Sequence, residues 1–341
     1  MKRDPPCKEK LHGQSDGMFV TPDKSRSPSF EGVSQAYEKV KAVLPPTPLL
    51  PLNVAGKTIW CKAESEQPMG AFKLRGAWHR LTDLSEAECA TGVVAFSSGN
   101  HAQGVAWAAG KLGITAAIVM PSNAPGVKVE NTRALGAEVI FYDRMTEDRI
   151  AIAHALAAER GATIVPPFDD PWIIEGQGSA GLEALEQMGE PFDLVVCPCG
   201  GGGLTAGVAL ANPGARVAFA EPEGWDDMIR SLEAGELRDV GPNPPPTPCD
   251  ALQTLMPSPL TFAVLLDRGA QGVSVSPAEV GAAMRLAKED LGLTVEPGGA
   301  AALAAILAGK IAPGARTLVI LSGGNVDPEV FVAMTGLEAQ L

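Results

Sequence analysis

The sequence predicts an α/β protein built from two wound sheets. Three observations carry that expectation. Short, continuous apolar runs such as Val93–Phe96 and Thr317–Leu321 suit parallel strands covered on both faces. Segments of helical period separate them, so the crossovers are helical. The alternation falls into two series, which implies two sheets and, in 341 residues, two domains.

Taken in order, residues 1–28 are polar, rich in proline and serine, and locally basic (Lys2, Arg3, Lys8, Lys10, Lys24, Arg26). They read as a disordered arm. Residues 29–43 form an amphipathic helix with Val33, Tyr37, Val40 and Leu44 on one face, stopped by Pro45-Pro46. A strand follows at 58–61 and a helix at 78–84. The first series has strands at Val93–Phe96, 116–120 and 139–142, with helices at 101–112, 128–135 and Arg149–Arg160. The second has helices at 178–188, 204–211, Pro277–Leu291 and 300–307, with strands at 193–197, 217–220 and Thr317–Leu321. Residues 242–248 are a proline-rich surface loop.

Composition excludes several functions. The apolar fraction is 45% and the charged fraction 20%, as in an ordinary soluble globular protein. A net charge of −13 disfavours nucleic acid and anionic membranes, which need clustered Lys and Arg. Six cysteines are scattered, Cys197 and Cys199 as C-x-C, with no disulfide framework and no zinc spacing to the histidines. No apolar run reaches membrane length and the N-terminus lacks a signal-type apolar core, so the cytosol is the default.

Four stretches carry chemistry. In Gly70-Ala71-Phe72-Lys73-Leu74-Arg75-Gly76-Ala77, Lys73 sits at a loop-to-helix junction among apolar neighbours. Desolvation there lowers an amine's pKa and readies it to attack a carbonyl. Gly200-Gly201-Gly202-Gly203-Leu204 joins a strand to a helix, and such a nest of backbone N–H groups binds phosphate. It lacks the lysine of a Walker loop. Gly201-x-Gly203-x-x-Ala206, with Glu221 near the end of the next strand, also fits a dinucleotide fingerprint, so an NAD-binding oxidoreductase is the rival reading. Ser97-Ser98-Gly99-Asn100-His101 opens a helix with hydroxyls, an amide and orphan N–H groups, a turn suited to a carboxylate. Ser322 ends the last strand, where α/β proteins place ligands. A reactive amine, a phosphate cradle, a carboxylate turn and a strand-end hydroxyl together describe pyridoxal phosphate and an amino acid.

With the stretches 67–77, 97–104 and 200–204, Glu296-Pro297 and Ser322-Gly323-Gly324-Asn325 in family order, the chain resembles the fold-type II pyridoxal-phosphate enzymes, in particular the threonine/serine dehydratase and serine racemase family. The resemblance runs from about residue 30 to the end. It implies a large domain of residues 29–90 and 169–341, a small mobile domain of 91–168, and the cofactor in the cleft between them. Lys73 would hold the cofactor as a Schiff base and then serve as base at Cα. Phe72 would pack beside it, Asn100 would bond its phenolic oxygen, Gly200, Gly201, Gly202, Gly203 and Leu204 would hold its phosphate, and Ser322 its ring nitrogen. Ser97, Ser98, Asn100 and His101 would bind the substrate carboxylate. Ser98 also stands where serine racemases carry an acid/base on the opposite face.

Two further sites come with the resemblance. Glu221, Asp227 and the Trp225 carbonyl match a divalent-cation site, whose oxygen ligands suit Mg²⁺ or Ca²⁺. Arg149 matches an arginine that in some relatives meets a second substrate carboxylate; facing the pocket, it would make 3-hydroxyaspartate the better substrate. The text around 250–262 and 295–300 is similar to the branch of hydroxyaspartate and hydroxyectoine-pathway dehydratases. Met69-Gly70-Ala71 departs from the family's usual Thr-Gly-Ser. The expected activity is ammonia-lyase (dehydratase) action on L-threonine or L-serine, then on 3-hydroxyaspartate, with serine racemisation as an alternative. A homodimer is expected, and no regulatory domain after Leu341.

Overall fold

The computed structural model describes residues 26–97, 99–124 and 126–338. Its strands are β1 Leu49–Val54, β2 Lys57–Ala63, β3 Val93–Phe96, β4 Ala116–Pro121, β5 Glu138–Tyr142, β6 Thr163–Ile164, β7 Leu194–Pro198, β8 Arg216–Pro222, β9 Gln271–Val275 and β10 Thr317–Leu321. Its helices are α1 Phe30–Lys41, α2 Lys73–Leu81, α3 Glu86–Thr91, α4 Asn100–Leu112, α5 Gly126–Ala134, α6 Arg149–Arg160, α7 Pro171–Met188, α8 Gly203–Ala211, α9 Asp227–Ala234, α10 Pro259–Asp267, α11 Pro277–Leu291, α12 Pro297–Leu307 and α13 Pro328–Thr335.

The strands form two sheets. One has the order β1-β2-β10-β7-β8-β9, the other β5-β4-β3-β6. All neighbours are parallel except β1 and β2, an antiparallel hairpin. Its turn is Ala55-Gly56, both at positive φ (50° and 78°), the backbone that matches strand twist in a two-residue loop. Each sheet is a filled sandwich. In the larger, Ile59, Cys61 and Val319 face α11 and α12, while Val195, Cys197 and Ile320 face α7 and α8. In the smaller, Val93, Ala95 and Ile118 face α4, while Val94, Val119 and Ala117 face α6. The alternation puts successive side chains on opposite faces, and both faces are apolar because both are covered.

Several elements differ from the sequence reading. β1 carries Pro51, which argues against a strand unless it lies at an edge; β1 is an edge. α7 starts at Pro171, well before residue 178, because Asp170 caps it by accepting the Ile173 N–H at 3.0 Å. Its internal glycines disguise the helix, and the tertiary structure explains one of them. A Cβ on Gly176 would fall 2.5 Å from the Gly76 Cα, so α2 and α7 cross with backbones in contact. α2 likewise begins at Lys73 rather than at residue 78. Residues 1–25 of the expected N-terminal arm lie outside the described residues. Arg26, assigned to the same arm, is fixed: it pairs with buried Glu175 at 2.6 Å and stacks on Trp172 at 4.3 Å. No helix among the described residues is long and apolar enough to cross a membrane.

Candidate active site

The carboxyl ends of β3, β7 and β10 open onto one cavity of about 190 Å³. Phe72, Lys73, Ser97, Asn100, His101, Arg149, Gly200 to Gly203, Leu204 and Ser322 all line it. Each described residue expected to bind cofactor or substrate therefore reaches the same space. Ser98 lies outside the described residues. The cation residues Glu221, Trp225 and Asp227 lie elsewhere.

Lys73 is the first residue of α2, so its backbone is fixed by the helix that follows. α4 presses on it: a Cβ on Gly104 would come within 3.1 Å of the Lys73 carbonyl carbon. The side chain then runs into the cavity, where Nζ donates to the Pro167 carbonyl at 2.7 Å and lies 5.1 Å from the Phe72 ring centre. Burial pulls its pKa down to about 8, with the Glu296 carboxylate partly offsetting that pull. A substantial neutral fraction near neutrality is what a nucleophilic amine requires.

The glycine run is shaped by close approach as well as by turn geometry. Gly202 has φ +86° and is the N-cap of α8, a conformation that favours glycine. A Cβ on Gly201 would sit 2.4 Å from the Phe168 ring. The Gly201 carbonyl turns outward to accept the Thr261 hydroxyl at 2.8 Å. The first N–H groups of α8 have no partner within the helix, and they lie beside the cavity with the helix dipole behind them. That is a cradle for phosphate, and with Lys73 and Ser322 in the same cavity the residues present fit pyridoxal phosphate.

At the opposite wall, α4 begins at Asn100 after the N-cap Gly99. The Ser97 hydroxyl accepts the Gly99 N–H at 3.2 Å. His101 is buried and its Nε2 meets the Val165 carbonyl at 2.9 Å, so Nε2 carries the proton. Burial and the Lys73 charge hold its pKa at about 3, against the pull of that carbonyl. The ring is neutral, and what His101 offers a carboxylate is its backbone N–H at the helix start.

Glu296 enters the sequence reading only through the Glu296-Pro297 motif, without a role. It is the N-cap of α12, it lines the cavity, and its Oε1 accepts from the Asn100 amide at 2.7 Å. Burial and the Asp250 charge push its pKa up to about 8, while Asn100, Lys128 and Lys73 draw it the other way. Lys128 and Asp250, also unassigned, line the same cavity and approach each other to 3.5 Å. The signal for Glu296 was a carboxylate directly before Pro297. Its direction became visible only when α12 met α4.

The rival dinucleotide reading fails on geometry. The glycine run faces Lys73, not a separate crevice. The carboxylate expected to bind a ribose, Glu221, is occupied: its oxygens accept the Met228 and Ile229 N–H groups at 3.1 and 2.9 Å.

Asp227 is fully buried beside it, and neither carboxylate oxygen has a hydrogen-bond partner. Burial and the charge of Asp227 push Glu221 well above the usual carboxylate range, and burial pushes Asp227 up to about 8. Carboxylate oxygens are the ligand type that divalent cations of the Mg²⁺ or Ca²⁺ kind take. No group of three or more His, Cys, Asp or Glu side chains suited to a metal occurs among the described residues.

Comparison with known proteins agrees with this geometry. Residues 40–323 match the family described as pyridoxal-phosphate dependent enzyme. The chain is 38% identical over 316 residues to L-threo-3-hydroxyaspartate ammonia-lyase of Saccharomyces cerevisiae, covering 90% of this chain and 96% of that one. It is 38% identical over 307 residues to L-threonine ammonia-lyase of Thermotoga maritima, covering 88% and 76%. The structure of maize serine racemase superposes with a TM-score of 0.83 at 35% identity, covering 90% of this chain and 97% of that one. By sequence, by fold and by the contents of its cavity, the chain belongs to the pyridoxal-phosphate dependent enzymes of fold type II, among ammonia-lyases and racemases of amino acids.

Proposed function

We propose that the protein is an ammonia-lyase for 3-hydroxyaspartate, giving oxaloacetate and ammonia. The observation that carries this reading is Arg149. It lines the cavity that holds Lys73 and the Ser97–Asn100 turn, and it makes no ion pair among the described residues. A guanidinium binds a carboxylate through two parallel hydrogen bonds. The turn at α4 takes the α-carboxylate, and Arg149 takes the distal one. Threonine and serine, ranked first on sequence, fall behind because their β-substituents offer Arg149 no charge.

Bound pyridoxal phosphate supplies the electron sink that makes the Cα proton acidic. The chain's own residues do the rest. Lys73 would carry the proton taken from Cα, the glycine run and the α8 N-terminus would hold the phosphate, and Ser322 would offer the ring nitrogen a neutral partner. That proton and the β-hydroxyl leave together as water, and the released enamine tautomerises to an imine that water hydrolyses to the 2-oxo acid and ammonia. Closure of residues 91–168 over the substrate, a cation at Glu221, Asp227 and the Trp225 carbonyl, and a cytoplasmic homodimer belong to the same proposal. Family resemblance supports them, with the unpaired Asp227 oxygens in addition for the cation.

The test is ammonia and 2-oxo-acid release from 3-hydroxyaspartate, threonine and serine, with D/L-serine interconversion followed in parallel. A kcat/KM for threonine or serine above that for hydroxyaspartate overturns the substrate assignment. Racemisation outrunning elimination overturns the reaction type.

A further inference from the structure

Asn100 does not face the cofactor alone. Its Nδ2 donates to Glu296 Oε1 at 2.7 Å, and its Oδ1 accepts from Asn325 Nδ2 at 2.8 Å. Asn325 Nδ2 also donates to the Met69 carbonyl at 2.8 Å. The chain of bonds thus runs from the segment before Lys73, through the segment after β10, to the start of α4 and the cap of α12. The backbone is shaped to admit it. A Cβ on Gly323 would lie 2.4 Å from Glu296 Oε1, and one on Gly70, at φ +70°, would lie 2.3 Å from Asn325 Oδ1. The Glu296 N–H donates to the Gly323 carbonyl at 2.9 Å, and the Gly324 N–H to the Gly70 carbonyl at 2.8 Å, so both partners of Asn100 stand on pinned backbone.

These contacts fix the sense of the Asn100 amide. An amide carries two N–H donors and one carbonyl acceptor, and the two ends look alike until their partners distinguish them. The Met69 carbonyl can only accept, so the end of the Asn325 amide that meets both it and Asn100 is the nitrogen, which can only donate. The Asn100 oxygen must therefore lie toward Asn325 and its nitrogen toward Glu296. One N–H is left, on a residue that lines the cavity.

We propose that Glu296 and Asn325 are positioning residues that lock the Asn100 amide with an N–H toward the cofactor, so that the site holds the phenolic oxygen in its deprotonated form. With the amide reversed, the cavity would meet a carbonyl oxygen, which repels a phenolate. The inference rests on family membership and not on the substrate proposed above, so the two fail separately.

The test uses holoenzyme and reads the dissociation rate of pyridoxal phosphate and its visible absorption. Asn325→Asp keeps the shape but removes the donor to Asn100. It is expected to speed cofactor loss about tenfold, the scale of one charge-assisted hydrogen bond. It should also move absorption from the longer-wavelength band of the phenolate to the shorter one of the neutral phenol. Glu296→Ala should do the same. Glu296→Gln retains a carbonyl acceptor and should restore both readouts to within about twofold of the parent. An Asn325→Asp holoenzyme with parental spectrum and release rate overturns the proposal. If that variant does not fold by circular dichroism, the Glu296 pair decides: equal behaviour of the Ala and Gln variants overturns it.

Discussion

Arg75 grips both oxygens of Glu64, through Nε at 2.7 Å and Nη2 at 2.8 Å, two residues beyond the lysine that faces the cofactor cavity. Its remaining donors go to Glu183 at 2.9 and 3.1 Å and to the Ser179 hydroxyl at 3.3 Å, so all five guanidinium N–H groups are used. Lys62 closes the cluster on Glu183 at 2.6 Å. Each of these groups is buried. Removing one carboxylate strands a buried cation, which costs about 3–5 kcal/mol. Glu64→Ala should lower stability by that amount in urea titrations. A loss below about 1 kcal/mol would show that the cluster does not hold α2.

Lys73 should be the sole point of covalent attachment. Lys73→Ala should show no visible chromophore that borohydride fixes to the protein. In the parent chain stripped of cofactor, the amine is depressed to about 8 by burial. Incorporation of added pyridoxal phosphate should therefore accelerate with rising pH and reach half its maximum near that value, because only the neutral amine attacks. A half-maximum near the ordinary lysine value of 10.5 would contradict the burial seen here.

Gly201→Ala tests the close approach beneath the phosphate cradle. The added Cβ would meet the Phe168 ring at 2.4 Å, and overpacking of this kind costs about 1–3 kcal/mol. Cofactor affinity should fall about tenfold, and Phe168→Leu on the same chain should recover part of it. Gly214→Ala, where a Cβ meets nothing within 4 Å, is the control. Equal affinities for the two alanine variants would remove Phe168 from the account.

Acid should destabilise the protein below the ordinary carboxylate range. Burial pushes Glu183 up, but Arg75 and Lys62 beside it overcome that and hold it at about 2, below its ordinary 4.5. A depressed carboxylate contributes stability that is full above the unfolded value and is lost as pH falls through the folded one. His101, held at about 3 against an ordinary 6.5, acts in the same direction, but Glu296 and Asp227, raised to about 8, bind protons first in the folded chain and offset it above about pH 4.5. Urea midpoints should therefore decline below about pH 4.5. Glu183→Gln should flatten that decline. An unchanged slope in that variant would mean that Glu183 is not the group responsible.

Arg149→Ala should separate the substrates. Losing a charge-assisted pair costs about 1.5–3 kcal/mol, so KM for 3-hydroxyaspartate should rise by about tenfold or more. Threonine and serine should be unaffected within about twofold. A parallel rise for all three would place Arg149 on a shared element rather than on the distal carboxylate.

The sequence by itself determined the α/β class, most strands of both sheets, and the stretches that meet in one cavity. Glycine runs, an isolated lysine and strand-end serines carry their chemistry in their identity and local spacing, so they are legible before folding. Local pattern also misled. β1, which carries Pro51, the two-residue β6, β9, and the first turns of α2 and α7, with glycines that look like breakers, lie outside the sequence reading. Those glycines are explained only by the backbone of a neighbouring helix. What only the tertiary structure decided is polarity and partnership: that Glu296 meets Asn100, that His101 is neutral because its ring is buried against Val165, and that Arg149 shares a cavity with Lys73. These depend on distances between segments far apart in sequence, and on the desolvation that packing imposes. Neither is written in any single stretch.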